Sequence, residues 1–201
     1  TAYGYLSVNG GFKIDKLWNS YSINTKAKIG PNNGKKYSIE DKIFIKNSNL
    51  QKIKNIELDY SESSDNIIRV IKGTNFDYFS AEAQKIFFNQ EFLVTKLADR
   101  MGIRLSGHKL ENIVSTNIKS EGLVRGVVQV PADGNPIIML SDHGTIGGYP
   151  KIGVVVSGDL DRVGQLIPGS IVNFKEVSLE EAQNIFKAYV EDTNKYLNEN
   201  N

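Results

Sequence analysis

The chain contains no cysteine and only two histidines, His108 and His143, among its 201 residues. The first absence removes any disulfide framework, any thiolate zinc site and any thiol nucleophile, and it suits a cytoplasmic protein. The second leaves little from which to build a metal centre, and no His/Asp/Glu cluster has recognised ligand spacing. Neither sign of charge dominates: 24 Lys and Arg against 23 Asp and Glu give a formal net charge of +1. That balance argues against nucleic acid or an anionic membrane as the main partner. No apolar run approaches the roughly 20 residues of a membrane-spanning helix. What remains is ordinary globular composition, 40% hydrophobic and 23% charged, in a chain long enough for one large domain or two small ones.

Strand-like segments dominate. YGYLSV near the start and KIFIK at 42–46 read as strands, separated by the turn-rich KIGPNNGKK. Because the chain opens at Thr1 directly into such a segment, it is expected to be a piece of a longer one. LQKIKNIEL at 50–58 alternates like a half-buried strand. DYSESSDN then marks the expected boundary between an N-terminal β subdomain, 1–60, and a second domain, 61–201. In the latter, IIRVIKG, EFLVTK, GIRLSG, GLVRGVVQVP, PIIML, IGVVVSG and IVNFKEV are strands at fairly regular spacing, the pattern of a β-barrel or sandwich. SAEAQKIFFNQ is a short helix with Ser80 as N-cap. A C-terminal amphipathic helix follows the Ser178/Glu181 capping box and presents Ala182, Ile185, Phe186 and Tyr189 as its apolar face.

Common catalytic signatures are missing. GPNNGKKY lacks P-loop spacing, and GTIGGYPKIG neither fits G-x-G-x-x-G nor precedes a helix. No nucleophile elbow is present, and Ser141, Asp142 and His143 are too close in sequence to form a triad without rearrangement. Three polar stretches stand out instead. In LADRMGIRLSGHKL, Arg100 and Arg104 flank Met101 and Gly102. Here Asp99 and Arg100 form a structural ion pair at a turn, or the arginines grip a planar carboxylate or amide. In GVVQVPADGNPI, Gln129 lies opposite the face of Val128 and Val130, where its amide needs a partner or ligand. Asp133 and Gly134 serve turn geometry. In SDHGTIGGYPK, Asp142, His143, Thr145, Tyr149 and Lys151 either decorate a structural loop with an Asx-turn or line a ligand site on glycine-rich backbone.

Taken in order, ADRMGIRLSG, SEGLVRGVVQVPADGNPIIMLSDHGTIGGYPKIGVVVSGDLDRVGQLIPGSIVNF and VSLEEA resemble the C-terminal portion of allophanate hydrolase subunit 2 proteins, also called the biotin-dependent carboxyltransferase family. That family includes KipA-like proteins and a subunit of the bacterial ATP-dependent 5-oxoprolinase. AYGYLSVNGGF and NSYS resemble its middle portion. The resemblance implies a mainly β fold, a cyclophilin-like β-barrel, and a KipI-like (allophanate hydrolase subunit 1-like) partner. It further implies a small amide or lactam substrate, with no cofactor bound directly by this chain. Carboxybiotin on a biotin carrier, made by a biotin carboxylase, or ATP in the complex would serve the chemistry. Catalytic roles fall to Asp142 and His143, and substrate binding to Arg100, Arg104, Gln129, Thr145, Tyr149 and Lys151. The sequence departs from the family pattern at Ala98 (serine), at Tyr21 (arginine), at His108 (proline), and at His143 and Gly144 (arginine and glutamine). The alternative implied by a non-catalytic relative is a regulatory module that antagonises a KipI-like kinase inhibitor.

Overall fold

The computed structural model describes residues 2–46 and 66–199. LQKIKNIEL and the expected boundary at 60/61 lie outside the described residues. The chain divides into two compact units, Gly4–Ile56 and Thr1–Tyr3 with Glu57–Asn201.

In the first unit, YGYLSV and KIFIK do not form regular strands. Among the described residues the strand pairing in this region is limited to single bridges, Phe12 with Ile45, Leu17 with Ser20 and Asn24 with Ile29. A strand needs a partner along its length to satisfy its amides. Among the described residues no strand pairs with 3–8, where Tyr5 and Leu6 stay 93% and 76% exposed.

The second unit is a closed seven-stranded barrel. Its elements run β1 (Ile67–Lys72), α1 (Ala81–Asn89), β2 (Phe92–Val94), β3 (Gly102–Ser106), β4 (Glu121–Gly122) and β5 (Val127–Gln129). They continue β6 (Ile137–Met139), β7 (Ile146–Gly147), β8 (Lys151–Val155), α2 (Leu160–Gly164), β9 (Ile171–Glu176) and α3 (Leu179–Glu199). The barrel order is β1-β8-β5-β6-β3-β2-β9, closed by a parallel β9–β1 pair; every other barrel pair is antiparallel. β4 and β7 form a separate two-stranded ribbon.

Period-2 alternation sends Ile68 and Val70, Ile103 and Leu105, Val128 and Val130, and Val172 and Phe174 into one buried core. α1 starts where expected, with Ser80 Oγ accepting from the Ala83 amide at 3.1 Å. It adds Ala83 and Phe87 to that core. The PADGNP turn also forms as read: the Gly134 amide donates to the Pro131 carbonyl at 3.0 Å. Gly134 sits at φ +73°, which glycine alone adopts freely.

α3 begins with the expected capping box, the Ser178 amide reaching Glu181 Oε2 at 2.6 Å and the Glu181 amide reaching Ser178 Oγ at 3.1 Å. Its buried stripe is narrower than expected. Ala182, Ile185 and Tyr189 are half-buried, whereas Phe186 remains 44% exposed. The reason is that α3 meets β1 and the turn Ser157–Asp159, not a broad face of the sheet. Among the described residues, no helix is long and apolar enough to cross a membrane.

Candidate functional site

Arg100 precedes β3 and Asp142 follows β6. The ladder between these strands continues past its ends, with the Leu140 amide donating to the Met101 carbonyl and the Asp142 amide to the Arg100 carbonyl, each at 3.0 Å. This backbone register brings the two side chains together. Arg100 Nε and Nη2 each lie 3.0 Å from a different oxygen of Asp142, a two-point fork. Arg100 therefore pairs across the barrel end. Its sequence neighbour Asp99, expected as its partner, instead accepts the amides of Met101 and Gly102 at 2.8 and 3.3 Å. The fork is accessible, with the Arg100 side chain 57% exposed.

His143 stands beside Asp142, half-buried. Its Nδ1 lies 2.5 Å from the Gly144 carbonyl. A carbonyl acceptor there calls for the proton on Nδ1, so in the neutral ring Nε2 is the nitrogen left without one. Thr145 and Tyr149 lie farther along the same segment, both exposed.

The other expected site residues fall in a second group. Registers Arg104 with Ile137, Ile137 with Gln129, and Gln129 with Lys151 set four residues in one crosswise row over β3, β6, β5 and β8. Val128 and Val130 fill the interior, so this row occupies the outer surface. Arg104 is exposed at one end of the row. It lies four residues from Arg100, about 13 Å along a strand at roughly 3.3 Å per residue. Its charge is felt instead by Asp133.

Gln129 and Lys151 are buried at 3% and 4% exposure. The β4–β7 ribbon lies over them. Gln129 Nε2 donates to the Tyr149 carbonyl at 3.2 Å, and Lys151 Nζ pairs with Glu121 on β4. A Cβ on Gly147 would come within 2.7 Å of Gln129 Nε2, which is how closely the ribbon seats. The amide that needed a partner finds a backbone carbonyl, and the buried ammonium finds a carboxylate.

The sequence reading missed Glu121 and Asn75. Asn75 is buried, and its Oδ1 accepts the Lys151 amide at 3.1 Å. The usable signal was Lys151 itself, a cation opening an apolar strand, which demands a counter-charge. Its position 30 residues away from Glu121 could not be read locally. Among the described residues, no group of three or more His, Asp or Glu side chains is placed to hold a metal.

Asp133 adds a pH-sensitive feature beside Arg104. Burial raises its pKa, but hydrogen bonds from the Asn135 side chain and amide, with Lys109 and Arg104 nearby, outweigh that and hold it below the ordinary 3.8. A lowered native pKa stabilises fully above the ordinary value and is lost as pH falls through the native one. Asp133→Asn is therefore expected to flatten the acid side of the stability profile below pH 3.8, read by denaturation at a series of pH values. An unchanged slope would assign that region to other carboxylates.

Comparison with known proteins fits this architecture. Residues 1–176 match the family model for the carboxyltransferase domain, subdomains A and B. The chain is 32% identical to a 5-oxoprolinase subunit of Haemophilus influenzae over 99% of its own length and 65% of that protein's. It is 26% identical to urea amidolyase of Saccharomyces cerevisiae over 90% of its length and 11% of the yeast protein's. It thus spans less than two thirds of either relative. The crystal structure of Kluyveromyces lactis urea carboxylase shares the fold, with a TM-score of 0.79 at 22% identity over 94% of this chain and 19% of that one. With a matching family model over most of its length and the barrel in place, the chain belongs to the carboxyltransferase domain family, subdomains A and B.

Proposed function

We propose that this chain is the carboxyltransferase-type component of a complex acting on a small amide or lactam, alongside a KipI-like subunit. The supporting observation is the exposed Arg100–Asp142 fork beside His143. A guanidinium already oriented for two-point contact suits a carboxylate or a developing oxyanion. When a ligand carboxylate takes the place of Asp142 on Arg100, that aspartate is released next to His143. In this reading His143 Nε2 takes the proton that an amide nitrogen gives up. The Thr145 hydroxyl and Tyr149 phenol supply neutral hydrogen bonds at the rim. Carboxybiotin or ATP, supplied elsewhere in the complex, provides the carboxyl group or the driving force.

The test is reconstitution with the KipI-like subunit, followed by assays of ATP-dependent consumption of 5-oxoproline and of urea. Arg100→Ala is expected to lower kcat/KM by about 10²–10³-fold, with the circular dichroism spectrum unchanged. Wild-type kinetics in that variant would overturn the assignment. Consumption of neither substrate, with relief of a KipI-like kinase inhibitor instead, would establish the regulatory alternative.

A further inference from the structure

We infer that Lys151 and Glu121 form a latch that holds the β4–β7 ribbon down on the barrel, so that Lys151 is a positioning residue and not a substrate ligand. The inference rests on the proposed site in that the ribbon carries the backbone between His143 and Tyr149.

Burying the lysine has a cost. The Lys151 side chain is only 5% exposed, while its partner Glu121 is 45% exposed. An apolar side chain at 151 would fill the same space without desolvating an ammonium. Its backbone is separately fixed, the amide bonding Asn75 Oδ1 at 3.1 Å and the carbonyl accepting from the Asn75 amide at 3.2 Å. The strand start therefore needs no help from the ammonium. What the ammonium reaches is the ribbon.

Glu121 pairs in register with Gly147, and Gly122 with Ile146. On either side, the Leu123 amide donates to the Thr145 carbonyl and the Ile118 amide to the Gly148 carbonyl, each at 2.9 Å. A pull on Glu121 is thus transmitted to 145–148 through backbone hydrogen bonds. On its exposed side the ribbon presents Ile146, 64% exposed. Its seat on the barrel is largely polar: the Lys151–Glu121 pair, and Gln129 donating to the Tyr149 carbonyl. The close approach of Gly147 to Gln129 completes it. A seat of this kind is directional, and it opens when one charged member is removed.

The experiment compares Glu121→Gln, Lys151→Met and the conservative Lys151→Arg in the intact protein. Amide hydrogen exchange is read at Ile118 and Leu123, the amides that donate across the ribbon, and kinetics in the reconstituted complex. Glu121→Gln and Lys151→Met are expected to speed exchange at these amides by about tenfold or more, leaving the barrel strands protected. Both are expected to raise KM with kcat little changed, because a ligand that binds only the latched form must draw from a smaller population. Lys151→Arg is expected to restore both.

Unchanged ribbon exchange in both charge-removing variants would overturn the latch. So would a KM effect confined to Lys151→Met, since that is the signature of direct substrate contact. Lost stability with no change in KM would reduce the pair to a structural one. The exchange readout needs no substrate. If the complex consumes neither 5-oxoproline nor urea, the proposed function fails while the latch still stands or falls on the exchange data.

Discussion

Asp159→Ala is expected to cost the barrel unit about 3 kcal/mol, the lower end of the range for breaking a buried ion pair. Asp159 is wholly buried. Its Oδ2 accepts the Arg69 amide at 2.8 Å and Arg69 Nε at 3.0 Å, and its Oδ1 accepts Arg69 Nη2 at 2.5 Å. Arg162 adds a second guanidinium at 3.7 Å. One carboxylate thus ties β1 to the turn before α2. Alanine would deprive the β1 amide and both guanidinium groups of their shared acceptor. The Arg69 side chain is 32% exposed, so water recovers part of the loss, which sets the lower end of the range. Asp159→Asn keeps an acceptor and is expected to lose less. Urea denaturation checks both, and a loss under about 1 kcal/mol for alanine would show that solvent replaces the carboxylate.

Phe87→Ala is expected to cost about 3–5 kcal/mol through lost burial and a residual cavity. Phe87 is fully buried, stacks on Phe174 with centroids 4.4 Å apart at 25°, and meets Phe88 edge-on at 5.0 Å. It is the main contribution of α1 to the barrel core. Phe87→Leu retains most of the volume and is expected to recover more than half of the loss. Chemical denaturation of both variants decides the matter. A near-wild-type midpoint for Phe87→Ala would mean that α1 slides inward to refill the space.

Barrel strands such as IIRVIKG and IVNFKEV were legible because each carries its own period-2 pattern and turn punctuation. Ser80 and the Ser178/Glu181 box were legible for the same reason, since capping acts within four residues. YGYLSV shows the limit of that logic: it has strand composition, but pairing is a property of two segments. The candidate site divides along the same line. Gln129 was correctly set opposite the core by alternation alone. That Arg100 would meet Asp142 depended on β3 lying beside β6. That Lys151 would meet Glu121 depended on a two-residue ribbon with no hydrophobic pattern at all.

The parallel β1–β9 pair has a consequence for how the barrel is made. Ile67 aligns with Asn173, so closure joins strands roughly a hundred residues apart, at a loop-closure cost paid before the contact is rewarded. During synthesis, β1 and β2 must therefore wait with unpaired edges until Ile171–Glu176 has left the ribosome. In that interval the nascent chain exposes β-edges of the kind that invite mispairing. The hydrogen bonds that finish the barrel are also the ones that end this exposure, so chaperone dependence is expected to fall sharply once Glu176 has emerged from the ribosome.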